Sequence, residues 1–140
     1  MTEIIVRSAE RLGATIEARG HTILVDEPVD AGGSDAGPTP YELLLGALGS
    51  CTAITLRLYA TRRNWPLESV EVHLTHDRVH ARDCANCEDR NANVFLDRIT
   101  KRIVLHGALS PDQHARLLEI AEHCPVQRTL QSLVIEQASA

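Results

Sequence analysis

Apolar and polar positions change period several times along the chain. In TIEARGHTILVDEP (residues 15–28) alternation runs on either side of Arg19-Gly20. Ile16 is followed by Ile23 and Val25 at strand spacing, and Gly20 tolerates φ > 0, so the segment predicts a β-hairpin. VDAGGSDAGPTP (29–40) is rich in Gly, Pro and Asp and predicts an exposed loop. Thr39-Pro40 then reads as a helix start, with Thr39 as cap and Pro40 in the first helical position. The helix runs from Pro40 to Arg63, roughly 24 residues or about 36 Å. Its core, LLLGALGSCTAITLRLYA (43–60), is apolar on almost every side. That predicts burial all round. Leu44, Leu48, Cys51, Thr55 and Leu58 share one face, and Gly46 and Gly49 predict close approach of another backbone.

VEVHLTHDRVHA (70–81) alternates Val70, Val72 and Leu74 with polar residues and predicts a strand. RDCANCEDRNAN (82–93) predicts a polar loop. FLDRITKRIVLHG (95–107), with Ile99, Ile103 and Leu105 on one face, predicts a second strand. SPDQHARLLEIAEHC (110–124) carries Ser110 as cap, Pro111 behind it, and Leu117, Leu118, Ile120 and Ala121 at helical spacing. A short helix is expected to start at Pro125, and SLVIEQ (132–137) to close as a strand. Together these elements predict an α+β fold, with helices on one face of a mostly antiparallel sheet. The 140 residues fit a single domain, 1–140.

Composition narrows the function classes. The net charge is −5, from 14 basic and 19 acidic side chains, and aromatics make up 3%. With no basic block and few stacking rings, nucleic acid is not an expected partner. MTEIIVRSAE has no apolar secretory core, and the 43–60 stretch, interrupted by Arg57, reads as short of a membrane span. The expectation is a cytoplasmic protein. Its four cysteines are then expected to be reactive, metal-binding or inert, not structural bridges.

Each thiol admits a plain reading and a chemical one. Cys51 is either a small apolar filler or, given a neighbouring cation, a nucleophile. Cys124, in EHCPVQRTL, precedes a helix-opening proline and so occupies an N-cap, near His123 and Arg128 in sequence. It is either a buried cap or an activated thiol. Cys84 and Cys87 form CANC, which is half a zinc ribbon, a redox pair or incidental. His76 and His80 would complete a zinc set, but i, i+4 spacing on a strand separates them by about 13 Å. The remaining histidines, His21, His73, His106 and His114 with them, read as solvated. Trp65 is expected to pin the helix end onto the sheet.

RGHTILVDEP, GPTPYELLLGALGSCTAITLRLYA and GALSPDQHARLLEIAEHCPVQRTL together resemble the OsmC/Ohr family of organic hydroperoxide peroxidases. The pair PxELLLxALxxC and IAEHCPV is specific in combination, and the likeness spans about residues 15 to 137. It implies an OsmC-like α+β fold with a long buried central helix in an intertwined homodimer. It implies Cys51 as peroxidatic and Cys124 as resolving cysteine, with organic hydroperoxide as substrate. A dithiol or a lipoylated protein would serve as reductant. No cofactor and no metal is called for. The family also uses an arginine from the N-terminal strands, for which Arg19 is the candidate, and a glutamate directly after the helix-opening proline. Here that position is Tyr41, and Glu42 follows one residue later. Two other readings stand beside this one. The first is a catalytically slow relative that binds an apolar small molecule. The second is a metal-linked or partner-binding module centred on Cys84 and Cys87.

Overall fold

The computed structural model describes residues 2–83 and 94–138. Cys84 and Cys87, with the zinc and redox readings attached to them, lie outside the described residues. The element order is β1 (Ile5–Ser8), β2 (Ala14–Ala18), β3 (His21–Val25), α1 (Pro40–Arg62), β4 (Ser69–His80), β5 (Phe95–His106), α2 (Pro111–Ala121) and α3 (Pro125–Leu130). Strands pair antiparallel in two sheets, β1-β2-β3 and β4-β5. The fold is α+β, as expected. The chain resolves into two compact units, residues 1–46 and 47–140.

In the first unit, Ala18 pairs with His21, leaving Arg19-Gly20 as a two-residue loop. Both have positive φ, 49° and 85°. This is the mirror-image turn whose twist suits a hairpin. β1, which the sequence reading had not assigned, adds to the outer edge of β2 with Val6 opposite Ile16. Ile16 faces Ile23 and Ala14 faces Val25, so alternation does place one apolar face. The Gly-rich segment after β3 is a mostly exposed loop, as expected, and it is tied down by a buried carboxylate at its start. The Asp26 carboxylate is buried and accepts backbone N–H bonds from Glu27 (2.8 Å), Ser34 (3.0 Å) and Ala36 (3.2 Å). Those bonds, led by that of Glu27, hold its pKa below the usual carboxylate range. Gly33 and Gly37 lie where a Cβ would strike the Glu27 and Leu24 carbonyls.

α1 starts as the sequence dictates. Thr39 Oγ1 accepts from Glu42 N–H (3.2 Å), while the Glu42 carboxylate accepts from Thr39 N–H (2.7 Å). This is a reciprocal capping box. Beyond it the expected all-round burial is not met within the chain. The buried residues are Leu48, Gly49, Thr52, Leu56 and Ala60, a stripe at spacing four. Leu44, Ile54 and Leu58 are exposed. The predicted face through Cys51 and Leu58 is therefore displaced: the four-residue rows, not the mixed rows, meet the rest of the second unit. A Cβ at Gly49 would collide with Leu74, whereas Gly46 has open space around it. Only Gly49 serves close packing, and what approaches it is a side chain. By length and composition α1 is also apolar enough to cross a membrane, contrary to the sequence reading. Core helices of globular proteins meet the same condition.

The core of the second unit is Leu56, Ala60, Leu67, Leu117 and Ala121, flanked by Trp65, Val70, Ile103, Leu105 and Ile120. β4 and β5 pair over their whole length, from Ser69–His106 to His80–Phe95. α2 opens with the expected Ser110 cap, here a complete capping box with Gln113. Trp65 packs edge-on to Tyr59, and Arg63 lies over both rings. Arg57, which interrupts the apolar stretch, donates to the carbonyls of Leu67 (2.5 Å) and Glu68 (2.6 Å) and so fixes the connection into β4. The expected closing strand is absent: residues 132–137 form no ladder, and Leu133, Val134 and Ile135 are exposed. Their apolar pattern has no strand edge to pair with in the described chain.

Most of the histidines are exposed, as expected, His21, His73, His106 and His114 among them, and some carry carboxylate partners. Glu71 joins His73 (3.1 Å) and His106 (2.9 Å) on one face of the β4-β5 ladder. These bonds, that from His106 foremost, lower the Glu71 pKa. His76 meets Asp97 at 2.9 Å on the other face.

Candidate functional site

Cys51 and Cys124 both belong to the second unit, and both are free thiols. They differ in setting. Cys51 lies mid-helix beside the buried stripe and is partly exposed. Cys124 is fully buried. It forms the N-cap of α3 with extended backbone (φ −66°, ψ 141°), followed by Pro125, as the sequence predicted. Proline cannot continue α2 but suits the first position of the next helix. The sulfur is thereby turned back toward the first turn of α3.

Two polar groups meet that sulfur. Gln127 N–H donates to Cys124 Sγ at 3.4 Å, as expected of a third helical residue facing its cap. Thr52 Oγ1 lies 3.6 Å from the same sulfur and 2.9 Å from the Leu48 carbonyl. A hydroxyl has one proton to give, and the carbonyl is nearer and the stronger acceptor. When Thr52 donates to Leu48, its oxygen is left to accept from the Cys124 S–H. Thr52 follows Cys51 directly, about 3.8 Å away between Cα atoms, with its side chain turned about 100° round the helix from that of Cys51. His123 and Arg128, neighbours of Cys124 in sequence, are not among the hydrogen-bond partners of its sulfur among the described residues.

Behind the cap lies a cation that sequence reasoning missed. Lys101 Nζ donates to the Ala121 carbonyl (2.8 Å) and to Gln127 Oε1 (2.6 Å). Gln127 Nε2 donates in turn to Glu122 (3.2 Å). A cleft of about 600 Å³ opens beside this group, lined by Leu48, Ile99, Lys101, Glu122, Gln127 and Leu130, among others. Each missed residue had a signal. Thr52 lies in the row Leu48, Thr52, Leu56, Ala60; Gln127 is three residues after the cap; and Lys101 interrupts the apolar alternation Ile99, Ile103, Leu105.

The other two candidates lie in the first unit. Arg19 is exposed at the hairpin turn, and its guanidinium has no hydrogen-bond partner among the described residues. Left-handed backbone costs a residue with a Cβ roughly 1–2 kcal/mol, which makes arginine an expensive choice there. Glu42 is engaged in the capping box, so its carboxylate already has a structural role, and Tyr41 beside it is exposed. The first unit also holds an apolar cleft of about 500 Å³, lined by Val6, Leu12, Ile16, Val25, Leu43 and Leu44, among others. Among the described residues, no cluster of His, Cys, Asp and Glu could hold a metal ion.

Comparison with known proteins agrees with this architecture. The family model described as OsmC-like protein matches residues 32–137. An OsmC-like protein from Mycoplasma pneumoniae superposes with a TM-score of 0.74 at 21% identity, over 95% of this chain and 89% of that one. The organic hydroperoxide resistance protein OsmC of Legionella pneumophila gives 0.65 at 17%, over 94% and 89%. OhrB of Bacillus subtilis, an organic hydroperoxide resistance protein, gives 0.62 at 17%, over 94% and 90%. At these identities the likeness concerns the fold. No curated protein matches the chain.

Proposed function

The chain belongs to the OsmC-like family, and from that premise we propose that it is a cysteine-based peroxidase that reduces organic hydroperoxides. Cys51 is the peroxidatic residue. Its thiolate attacks the peroxide O–O bond, taking one oxygen as sulfenic acid while the other leaves, after protonation, as an alcohol. Cys124 resolves it: its thiol condenses with the sulfenic acid, forming a disulfide and releasing water. A dithiol or lipoylated protein then returns both cysteines to thiols by exchange.

The observation that carries this reading is the contact between Thr52, the residue next to Cys51, and the sulfur of Cys124. Partial exposure of Cys51 lets a peroxide arrive, and burial of Cys124 protects the second thiol from other oxidants. Arg19, held in costly backbone geometry, is the arginine that stabilises the thiolate. Glu42 supports the helix start from which Cys51 is reached. The exposed apolar residues Ile54 and Leu58 of α1, beside a cleft of about 350 Å³ with Ala53 and Val70, support a homodimer closed over that face. The protein works in the reducing cytoplasm, away from membrane and nucleic acid.

The test is peroxide consumption by the reduced protein with cumene hydroperoxide and dithiothreitol. Turnover is expected, lost in Cys51→Ser, with sulfenic acid trapped on Cys51 in Cys124→Ser. Absence of turnover in the parent protein would overturn the reading. The apolar cleft of the first unit favours a second reading, a slow relative that retains a hydrophobic small molecule. Stoichiometric binding of an apolar probe without peroxide turnover would select it.

A further inference from the structure

We infer that Lys101 is the positioning residue for the Cys124 thiol, a role that rests on the peroxidase reading only for its kinetic consequence. Lys101 stands on β5 opposite Leu74, on the face that carries Ile103 and Leu105 into the core. A charged residue there is costly unless its head group is fully engaged. It is engaged at two points, and Cys124 lies between them. Ala121 is the last residue of α2, with a carbonyl that has no further turn to bond it. Lys101 supplies that donor at 2.8 Å. Gln127 is the third residue of α3, and Lys101 donates to its side chain at 2.6 Å. The backbone N–H of the same Gln127 donates to Cys124 Sγ. One ammonium thus clamps the end of one helix to the start of the next, and the residue at the corner is the buried thiol.

The clamp matters because disulfide formation is demanding. The Cα atoms must lie about 5.5–6 Å apart, with the Cβ vectors facing. Cys124 must rotate its sulfur away from Gln127 N–H toward the Cys51 sulfenic acid while its Cα stays still. Lys101 holds Ala121 and Gln127, three residues to either side of Cys124, and takes no part in the bond change. In that step the S–OH bond on Cys51 breaks, the S–S bond forms, and the hydroxyl leaves as water with the proton of the Cys124 thiol.

The experiment compares the parent protein with Lys101→Met, which keeps the stem and removes the donors, and with Lys101→Arg, which restores them. Gln127→Leu provides a second route to breaking the clamp should Lys101→Met fail to fold. In single-turnover reaction with cumene hydroperoxide, sulfenic acid formation on Cys51 should keep its rate in Lys101→Met. Disulfide formation should slow about tenfold or more, with sulfenic acid accumulating for trapping by dimedone. Lys101→Arg should recover most of the loss. In a Cys51→Ser background, which needs no peroxide chemistry, iodoacetamide should reach Cys124 about tenfold faster once Lys101 is Met. Parental rates of both disulfide formation and alkylation in folded Lys101→Met or Gln127→Leu would overturn the inference. If the parent turns over no peroxide, the functional reading falls, while the alkylation comparison still decides the role of Lys101.

Discussion

The two units of the chain are held together by different forces. Residues 47–140 close around apolar side chains: Leu56, Leu117 and Ala121 are fully buried, and the strands and helices supply a continuous wall around them. Among the described residues of 1–46, Val25 is the one buried large apolar side chain, and the loop that follows it is gathered by one carboxylate. Apolar burial is non-directional and indifferent to pH. A carboxylate accepting three N–H bonds is directional and must stay ionised. The first unit is therefore specified by single residues, and the second by an aggregate that tolerates conservative change.

Four substitutions and one condition press on that difference, beginning with the largest effect. Leu117→Ala should destabilise the second unit by about 2–5 kcal/mol, measured by denaturant unfolding, because it leaves a cavity among close-packed neighbours. A cost under about 1 kcal/mol would mean that the core described around Leu117 is not the one that holds the fold. Asp26→Ala should open the 26–38 loop to limited proteolysis while leaving β4 and β5 protected from hydrogen exchange. Acid should do the same to the parent protein. The Asp26 pKa is lowered on folding from 3.8, so its contribution is present above that value and disappears as the pH falls through the lowered one. A loop opening at pH 6 would point to a different titrating group.

Thr39→Ala should cost about 1 kcal/mol by removing the cap of α1, with a visible loss of helix signal at its first turn. The smallest effect separates stability from chemistry. Arg19→Gly relieves the left-handed turn and should leave the hairpin equally or more stable, by up to roughly 1–2 kcal/mol. On the peroxidase reading the same variant should lose peroxide turnover. A less stable Arg19→Gly with full turnover would reverse both expectations and make Arg19 a structural residue.

Much of the architecture was legible in the residues. Hairpin and helix caps depend on neighbours a few positions apart, so Gly20, Thr39-Pro40, Ser110-Pro111 and Cys124-Pro125 marked them, while β4 and β5 showed through their alternation. β1 was missed because IVRS shows little alternation, and it forms only because β2 offers an edge. SLVIEQ failed the opposite way: its apolar residues suit a strand, but within the described chain no edge receives them. For the candidate site, the two cysteines could be singled out from their motifs. The groups around Cys124 left signals of their own but none that tied them to it, since Thr52 and Lys101 are 72 and 23 positions away and are brought to its surroundings by packing.

By itself the sequence determined the local devices: which segments turn, which cap, and where a thiol precedes a proline. It did so because those choices are settled by φ, ψ and the nearest hydrogen-bond donors. Only the tertiary structure decided which row of α1 is buried, that Asp26 gathers a glycine-rich loop, and that a hydroxyl and an amide N–H face the Cys124 sulfur. Those outcomes depend on side chains brought together over long stretches of chain, where burial of the whole surface outweighs any local preference.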